Sequence, residues 1–135
     1  MYIDKMNLIK ENPKMARILI IDDETTIRDL LIKILEREGY ETMNAPDGKE
    51  GIRLYRENPA DLIITDIIMP EEECIETIME LRRDFQDVKI IAMSGGGKID
   101  SDIYLQIAKT IGAIETIAKP FDRKELLNRV QGILE

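Results

Sequence analysis

The segment Leu62-Ile63-Ile64-Thr65-Asp66-Ile67-Ile68-Met69-Pro70 decides the fold of this chain. Its apolar, strand-forming residues predict a buried strand that ends at Asp66, and Pro70 ends regular structure shortly afterwards. In an open parallel sheet the ligand crevice lies at the carboxyl ends of the strands. We therefore interpret Asp66 as the reactive centre.

The same alternation of apolar runs and amphipathic segments extends along the chain from Arg17. Each apolar run is followed by residues with helical periodicity, and strands are predicted at 18–21, 40–45, 61–65, 88–93 and 114–118. Continuous apolar strands are typical of a parallel sheet that helices cover on both faces, and right-handed crossovers make this a three-layer sandwich. The predicted fold class is therefore α/β, a doubly wound five-stranded parallel sheet, whose strand order the periodicity does not determine.

Local signals mark the ends of several predicted helices. Asp47 with Glu50, and Asp122 with Glu125, have the spacing of a capping box before the second and the last helix. The fourth helix, predicted at 99–111, ends at Gly112. The first helix ends before a glycine at position 39, and it is predicted from five apolar residues that recur at helical spacing: Ile27, Leu30, Leu31, Ile34 and Leu35.

The length of 135 residues predicts one folded domain, at 15–135. The preceding residues, 1–14, have a weak apolar pattern that stops at Asn12-Pro13. We expect these residues to form an N-terminal leader, either a mobile tail or a short docking helix.

Composition excludes several classes of function. A formal net charge of −8 disfavours direct binding to nucleic acid or to an anionic membrane. A single cysteine, Cys74, cannot form an internal disulfide, and no apolar run reaches the ~20 residues of a membrane span, so we expect a cytoplasmic protein. The chain has no histidine, so a bound metal should be a hard cation with oxygen ligands.

Polar residues follow four of the predicted strands at one edge of the sheet. The acidic run Asp22-Asp23-Glu24 follows the first strand, Asp66 the third, Ser94 the fourth and Lys119 the fifth. Each has an ordinary structural explanation: helix capping for the acids, a turn for a serine before three glycines, and a solvated loop for the lysine. Their joint placement instead favours a common crevice.

Three adjacent carboxylates repel one another unless a cation lies between them. Mg²⁺ suits such a site because it binds carboxylate oxygens, and Asp23 and Asp66 would be direct ligands. Lys119 would neutralise Asp66 or a phosphoryl oxygen, and the Ser94 hydroxyl would donate to another oxygen of that group. Because a carboxylate oxygen can attack phosphorus, the pattern predicts phosphoryl transfer to Asp66 through positioning and electrostatics.

These motifs resemble those of response-regulator receiver domains of two-component signalling. The resemblance covers residues 16–135 and is carried by the acidic pair Asp22-Asp23, the acceptor Asp66 before Ile67-Ile68-Met69-Pro70, the hydroxyl residue Ser94 and the segment Ala118-Lys119-Pro120-Phe121. It implies a flavodoxin-like sheet with strand order 2-1-3-4-5. It also implies Mg²⁺ held by Asp23, Asp66 and the Ile68 backbone carbonyl, with Asp22 acting mostly through metal-bound water.

The resemblance also implies the partners. The phosphoryl group would come from a phosphohistidine on a sensor histidine kinase or a histidine phosphotransfer protein, and the chain would catalyse only its own phosphorylation and dephosphorylation. The output would be a changed protein-binding surface, recognised by an unidentified downstream protein. Two features depart from the family pattern: Glu72-Glu73-Cys74 replaces the usual turn after the proline, and Thr116 occupies a position that is often aromatic.

Three alternatives remain. A haloacid-dehalogenase-type phosphatase also forms an aspartyl phosphate, but that family usually has a second aspartate where this chain has Ile68. A receiver-like binding module that is never phosphorylated would not need the complete set of polar residues. Flavin-binding proteins of related fold have a hydroxyl-rich phosphate loop after a strand, and no predicted strand of this sequence is followed by such a loop. Whether the chain is a complete regulator, a phosphorelay shuttle or part of a longer protein is left open.

Overall fold

The computed structural model describes residues 16–66, 73–94 and 101–134. The predicted leader, Ile68 and the three glycines after Ser94 lie outside these ranges. Strands and helices alternate along the described chain: β1 (Arg17–Ile21), α1 (Thr25–Arg37), β2 (Glu41–Ala45), α2 (Gly48–Glu57), β3 (Leu62–Asp66), α3 (Glu73–Asp84), β4 (Ile90–Ser94), α4 (Ser101–Ile111), β5 (Glu115–Ala118) and α5 (Arg123–Leu134).

The strands form one parallel sheet in the order β2-β1-β3-β4-β5. This confirms both the predicted fold class and the strand order that the family resemblance implied. The register places Asp66 opposite Met93 and Ser94 opposite Ala118. The last residues of neighbouring strands are therefore level with one another at a single edge of the sheet.

Two apolar clusters cover the two faces of the sheet. Successive side chains of a strand point to opposite faces, so each buried strand contributes to both clusters. Helices α2, α3 and α4 cover one face, which contains Leu19, Ile21, Ile63, Ile90 and Ala92. Helices α1 and α5 cover the other face, which contains Ile18, Ile20, Leu62, Ile64, Ile91 and Met93. Burial on both faces explains why these strands are continuously apolar.

The local signals in the sequence have mixed outcomes. Asp47 caps α2, because its side chain accepts a hydrogen bond of 2.8 Å from the Glu50 N–H. Of the apolar residues that recur at helical spacing along α1, Leu30 is 45% exposed. The buried residues of α1 are Leu31, Ile34 and Leu35, and Leu30 lies one position, about 100° of helical rotation, away from Leu31.

The described helices include none that is long and apolar enough to cross a lipid bilayer.

Helices α2 and α3 approach closely at a glycine. A Cβ atom on Gly48 would lie 1.8 Å from Thr77 Oγ1 and 3.0 Å from Thr77 Cβ. The Thr77 side chain is buried and β-branched, so it has little freedom to move away. A Cβ atom on Gly132, in α5, would meet no atom within 4 Å.

We predict opposite effects of alanine at these two glycines. Gly48→Ala should lower the free energy of unfolding by about 1–3 kcal/mol, because the added methyl group overpacks the contact between α2 and α3. Gly132→Ala should raise it by up to about 1 kcal/mol, because alanine is the better helix former at an open position. Urea denaturation of both variants measures the difference, and equal stabilities would contradict this close packing.

Candidate functional site

The polar residues singled out in the sequence meet at the carboxyl edge of the sheet. Asp22 and Asp23 follow β1, Asp66 is the last residue of β3, Ser94 is the last residue of β4, and Lys119 follows β5. Carboxylate oxygens of the three aspartates lie within 4.8 Å of one another. Asp22 and Asp66 are almost completely buried, whereas Asp23 is exposed at the mouth of the crevice.

Lys119 is the cation of this site. Its Nζ lies 2.9 Å from Asp22 Oδ2, 3.6 Å from Asp66 Oδ2 and 3.9 Å from Glu24 Oε1. The pairing with Asp66 was predicted, but the shorter contact with Asp22 was not. The backbone N–H of Lys119 also donates to the Ser94 carbonyl at 2.9 Å, so the lysine is held to the end of β4.

The surroundings of Lys119 act on its pKa in opposite directions. Burial lowers the pKa of the ammonium, but the hydrogen bond to Asp22 and the charges of Asp66, Asp22 and Glu24 raise the pKa above its ordinary value of 10.5. Lys119 is therefore protonated throughout the physiological range. A permanent positive charge faces the carboxylate of Asp66.

Asp22 is fully engaged by its neighbours. Its N–H donates to the Ala45 carbonyl at 3.1 Å, and its Oδ1 accepts from the Glu24 N–H at 2.8 Å. Its Oδ2 accepts from Lys119. Asp22 thus accepts from the N–H of Glu24, the residue before α1, and does not cap an N–H of the helix itself.

Ser94 has a polar atom that needs a partner. Its side chain is completely buried, and its Oγ has no hydrogen-bond partner among the residues that the structure describes. Leaving a buried hydroxyl without a partner costs about 1–3 kcal/mol. At the end of β4, beside the acidic cluster, this hydroxyl is suited to donate to an oxygen of a bound anion.

The sequence analysis missed Arg28. From the first turns of α1, the Arg28 Nη1 donates to the Asp22 carbonyl at 2.6 Å and its Nε donates to Asn44 Oδ1 at 3.1 Å. Neither Arg28 nor Asn44 belongs to an apolar pattern or to the quoted motifs. The available signal was a cation in the first turns of a helix that follows a run of acidic residues.

Comparison with known proteins establishes the family. The family model described as the response regulator receiver domain matches residues 18–131. The chain belongs to this family. Receiver domains are components of two-component signalling, so this is the process in which the chain takes part.

Curated relatives of this receiver are longer proteins. They include the transcriptional regulatory protein CpxR of Escherichia coli, 32% identical over 120 residues, and the response regulator SaeR of Staphylococcus aureus, 34% identical over 120 residues. These alignments cover 89% of this chain and 50% and 51% of the relatives. The receiver thus spans about half the length of the curated relatives it matches.

Solved receivers have the same fold. A response regulator receiver domain protein from Clostridium thermocellum is 31% identical, with a TM-score of 0.77 and coverage of 88% of this chain and 94% of that chain. The response regulator TrrA from Thermotoga maritima, in complex with Mg²⁺-BeF, is 35% identical, with a TM-score of 0.75 and coverage of 88% and 99%. These similarities confirm the fold and the family that the sequence motifs implied.

We predict that removing one of the clustered carboxylates stabilises the receiver. In EDTA at neutral pH, Asp23→Asn should raise the free energy of unfolding by on the order of 1 kcal/mol, because it relieves repulsion from Asp22 and Asp66. Asp29→Asn, on the exposed side of α1, is the matched control. Urea denaturation that shows no difference between the two variants would contradict mutual repulsion in the site.

We also predict a pH dependence from Lys119. Because its pKa is higher in the folded chain than the ordinary 10.5, its stabilising contribution is complete below that value and is lost as the pH rises through the folded-state pKa. The stability difference between the wild type and Lys119→Met should therefore shrink above pH 10.5. Urea denaturation across this range tests the prediction, and a constant difference would argue against the ion pairs.

Proposed function

We propose that this receiver accepts a phosphoryl group on Asp66 in a Mg²⁺-dependent reaction. The observation that carries the proposal is the meeting of three carboxylates, the Lys119 ammonium and the buried Ser94 hydroxyl at one end of the sheet. The donor is a phosphohistidine of a sensor histidine kinase or a histidine phosphotransfer protein. An Asp66 oxygen forms the new bond to phosphorus, the bond from phosphorus to the imidazole nitrogen breaks, and the imidazole leaves with the electron pair.

The donor atoms of the site fit Mg²⁺. Three carboxylates are hard oxygen ligands, and their mutual repulsion favours a divalent cation among them. Asp23 and Asp66 would hold the ion directly together with the Ile68 carbonyl, while Asp22, already engaged by Glu24 and Lys119, would contribute through water. When bound, Mg²⁺ supplies charge neutralisation at the transferring group. The complex of TrrA with Mg²⁺-BeF supports this assignment.

The chain's own residues perform the remaining work. Burial of Asp66 at the end of a rigid strand fixes the direction of attack, and this positioning replaces a general base. Lys119 stabilises negative charge on one phosphoryl oxygen, and the Ser94 hydroxyl donates to another, which satisfies its Oγ. The absence of histidine from the chain is no handicap to such a reaction.

The output of the switch is a changed protein-binding surface. The phosphoryl group replaces the single negative charge of the Asp66 carboxylate by up to two on its own oxygens, a net gain of about one negative charge at a buried edge. Lys119 and Ser94, which are joined through their backbones, respond to the new charge together. Their movement alters the edge formed by β4 and β5, and a downstream protein distinguishes the two forms of this surface.

Incubation with acetyl phosphate and Mg²⁺, followed by intact mass measurement, tests the proposal. The wild type should gain the mass of one phosphoryl group, and EDTA should prevent the gain. Asp66→Asn should gain none, because an amide cannot form the acyl phosphate. Asp87→Asn, which removes an exposed carboxylate, should behave like the wild type.

Three outcomes would contradict the proposal. A wild type that gains no mass under these conditions would favour a binding module that is never phosphorylated. An Asp66→Asn variant that is modified as fast as the wild type would place the acceptor elsewhere. Continuous release of phosphate from small phosphate monoesters would instead indicate an enzyme of the dehalogenase type.

A further inference from the structure

Arg28 ties together the segment that leaves β1. Its Nη1 donates to the Asp22 carbonyl at 2.6 Å, its Nε to Asn44 Oδ1 at 3.1 Å and its Nη2 to Thr25 Oγ1 at 3.3 Å. Asn44 belongs to β2, and Thr25 is the first residue of α1. One guanidinium group therefore connects the start of a helix, a neighbouring strand and the loop that carries two of the clustered acids.

The peptide group that Arg28 holds is the one that joins Asp22 to Asp23. The Asp22 carbonyl belongs to this planar unit, so fixing the oxygen fixes the plane from which the Asp23 backbone continues. Asp22 itself is also held by Ala45, Glu24 and Lys119. The exposed Asp23 carboxylate depends more on its backbone for its position.

The start of α1 does not provide this constraint by itself. Its N-cap residue is Glu24, whose side chain makes no capping hydrogen bond. Helices commonly fix the direction of the entering chain with a side-chain cap. Here Arg28 reaches back along the helix and connects the entering chain to β2 through Asn44.

We propose that Arg28 is a positioning residue for the metal ligand Asp23, and that Asn44 supports it. The inference rests on the function proposed above, because it states that the affinity of that site for Mg²⁺ depends on Arg28. The planar fork of arginine suits this role, since its three nitrogens each reach a different acceptor, whereas the three donors of a lysine ammonium lie on a single nitrogen.

Charge provides the competing explanation. A positive group beside three carboxylates opposes the binding of a cation, so loss of the Arg28 charge alone would strengthen Mg²⁺ binding. Loss of positioning would weaken it. Arg28→Lys keeps the charge and removes the fork, whereas Arg28→Met removes both, so the two variants separate the effects.

Calorimetric titration with Mg²⁺ is the primary test. Arg28→Lys should raise the dissociation constant about tenfold, the lower end of the range for residues that orient metal ligands. Arg28→Met should raise it less, because the loss of the positive charge offsets part of the lost positioning. Asn44→Ala should raise it by a smaller factor without any change of charge. Arg37→Met removes one positive charge from the last turn of the same helix, about 13 Å along its axis, and should leave the constant within about twofold of the wild type.

Phosphorylation by acetyl phosphate provides a second readout. For Arg28→Lys, the Mg²⁺ concentration that gives half the maximal rate should rise, while the rate at saturating Mg²⁺ stays close to that of the wild type. A purely structural defect would instead lower the maximal rate and the free energy of unfolding, without raising the Mg²⁺ concentration that gives half the maximal rate. Asn44→Ala tests the same connection from β2 if an Arg28 variant fails to fold.

Specific results would overturn the inference. An unchanged dissociation constant in Arg28→Lys with tighter binding in Arg28→Met would assign the whole effect to charge. Unchanged binding in all three variants would show that Asp23 is positioned without Arg28. Failure of the wild type itself to bind Mg²⁺ would remove the proposed function, and the inference with it, so the two failures are distinguishable.

Discussion

The Lys119 ammonium lies between the carboxylates of Asp22 and Asp66, and the site depends on this arrangement. Parallel strands that end at one edge bring acidic side chains together in a largely buried place, where their repulsion is expensive. A lysine with a pKa above its ordinary value compensates part of that cost. The remaining negative charge makes the site receptive to a divalent cation.

The sheet holds the residues of the site in fixed positions. Strands β1, β3 and β4 are buried on both faces, so their ends are held rigidly by the two apolar clusters. Asp66 and Ser94 are the last residues of β3 and β4, and Asp22 and Lys119 directly follow β1 and β5, so the polar side chains lie where these strands end. A precise constellation of charges therefore rests on aliphatic packing elsewhere in the domain.

The buried polar groups of the site differ in whether their hydrogen bonds are satisfied. Asp22 is satisfied by hydrogen bonds from Glu24 and Lys119, and its backbone is joined to Ala45 and Arg28. Ser94 Oγ, in contrast, has no partner in the described parts of the chain. A site that holds one acid firmly and leaves one hydroxyl unused has a ready donor for an arriving anion. Thr116, found where the family resemblance led us to expect an aromatic residue, lies opposite Ala92 in the register of β5 with β4.

The sequence by itself determined the fold class, because continuous apolar runs alternating with helical periodicity permit few other architectures. It also determined which residues would meet, since Asp22, Asp23, Asp66, Ser94 and Lys119 each follow a strand of a parallel sheet. Strand order came from family resemblance, as periodicity carries no information about lateral neighbours. Only the tertiary structure decided that Lys119 pairs most closely with Asp22, that Leu30 is exposed, and that Arg28 connects α1 to β2. These features depend on distances between segments that are remote in the chain, and such distances are set by packing rather than by any local pattern.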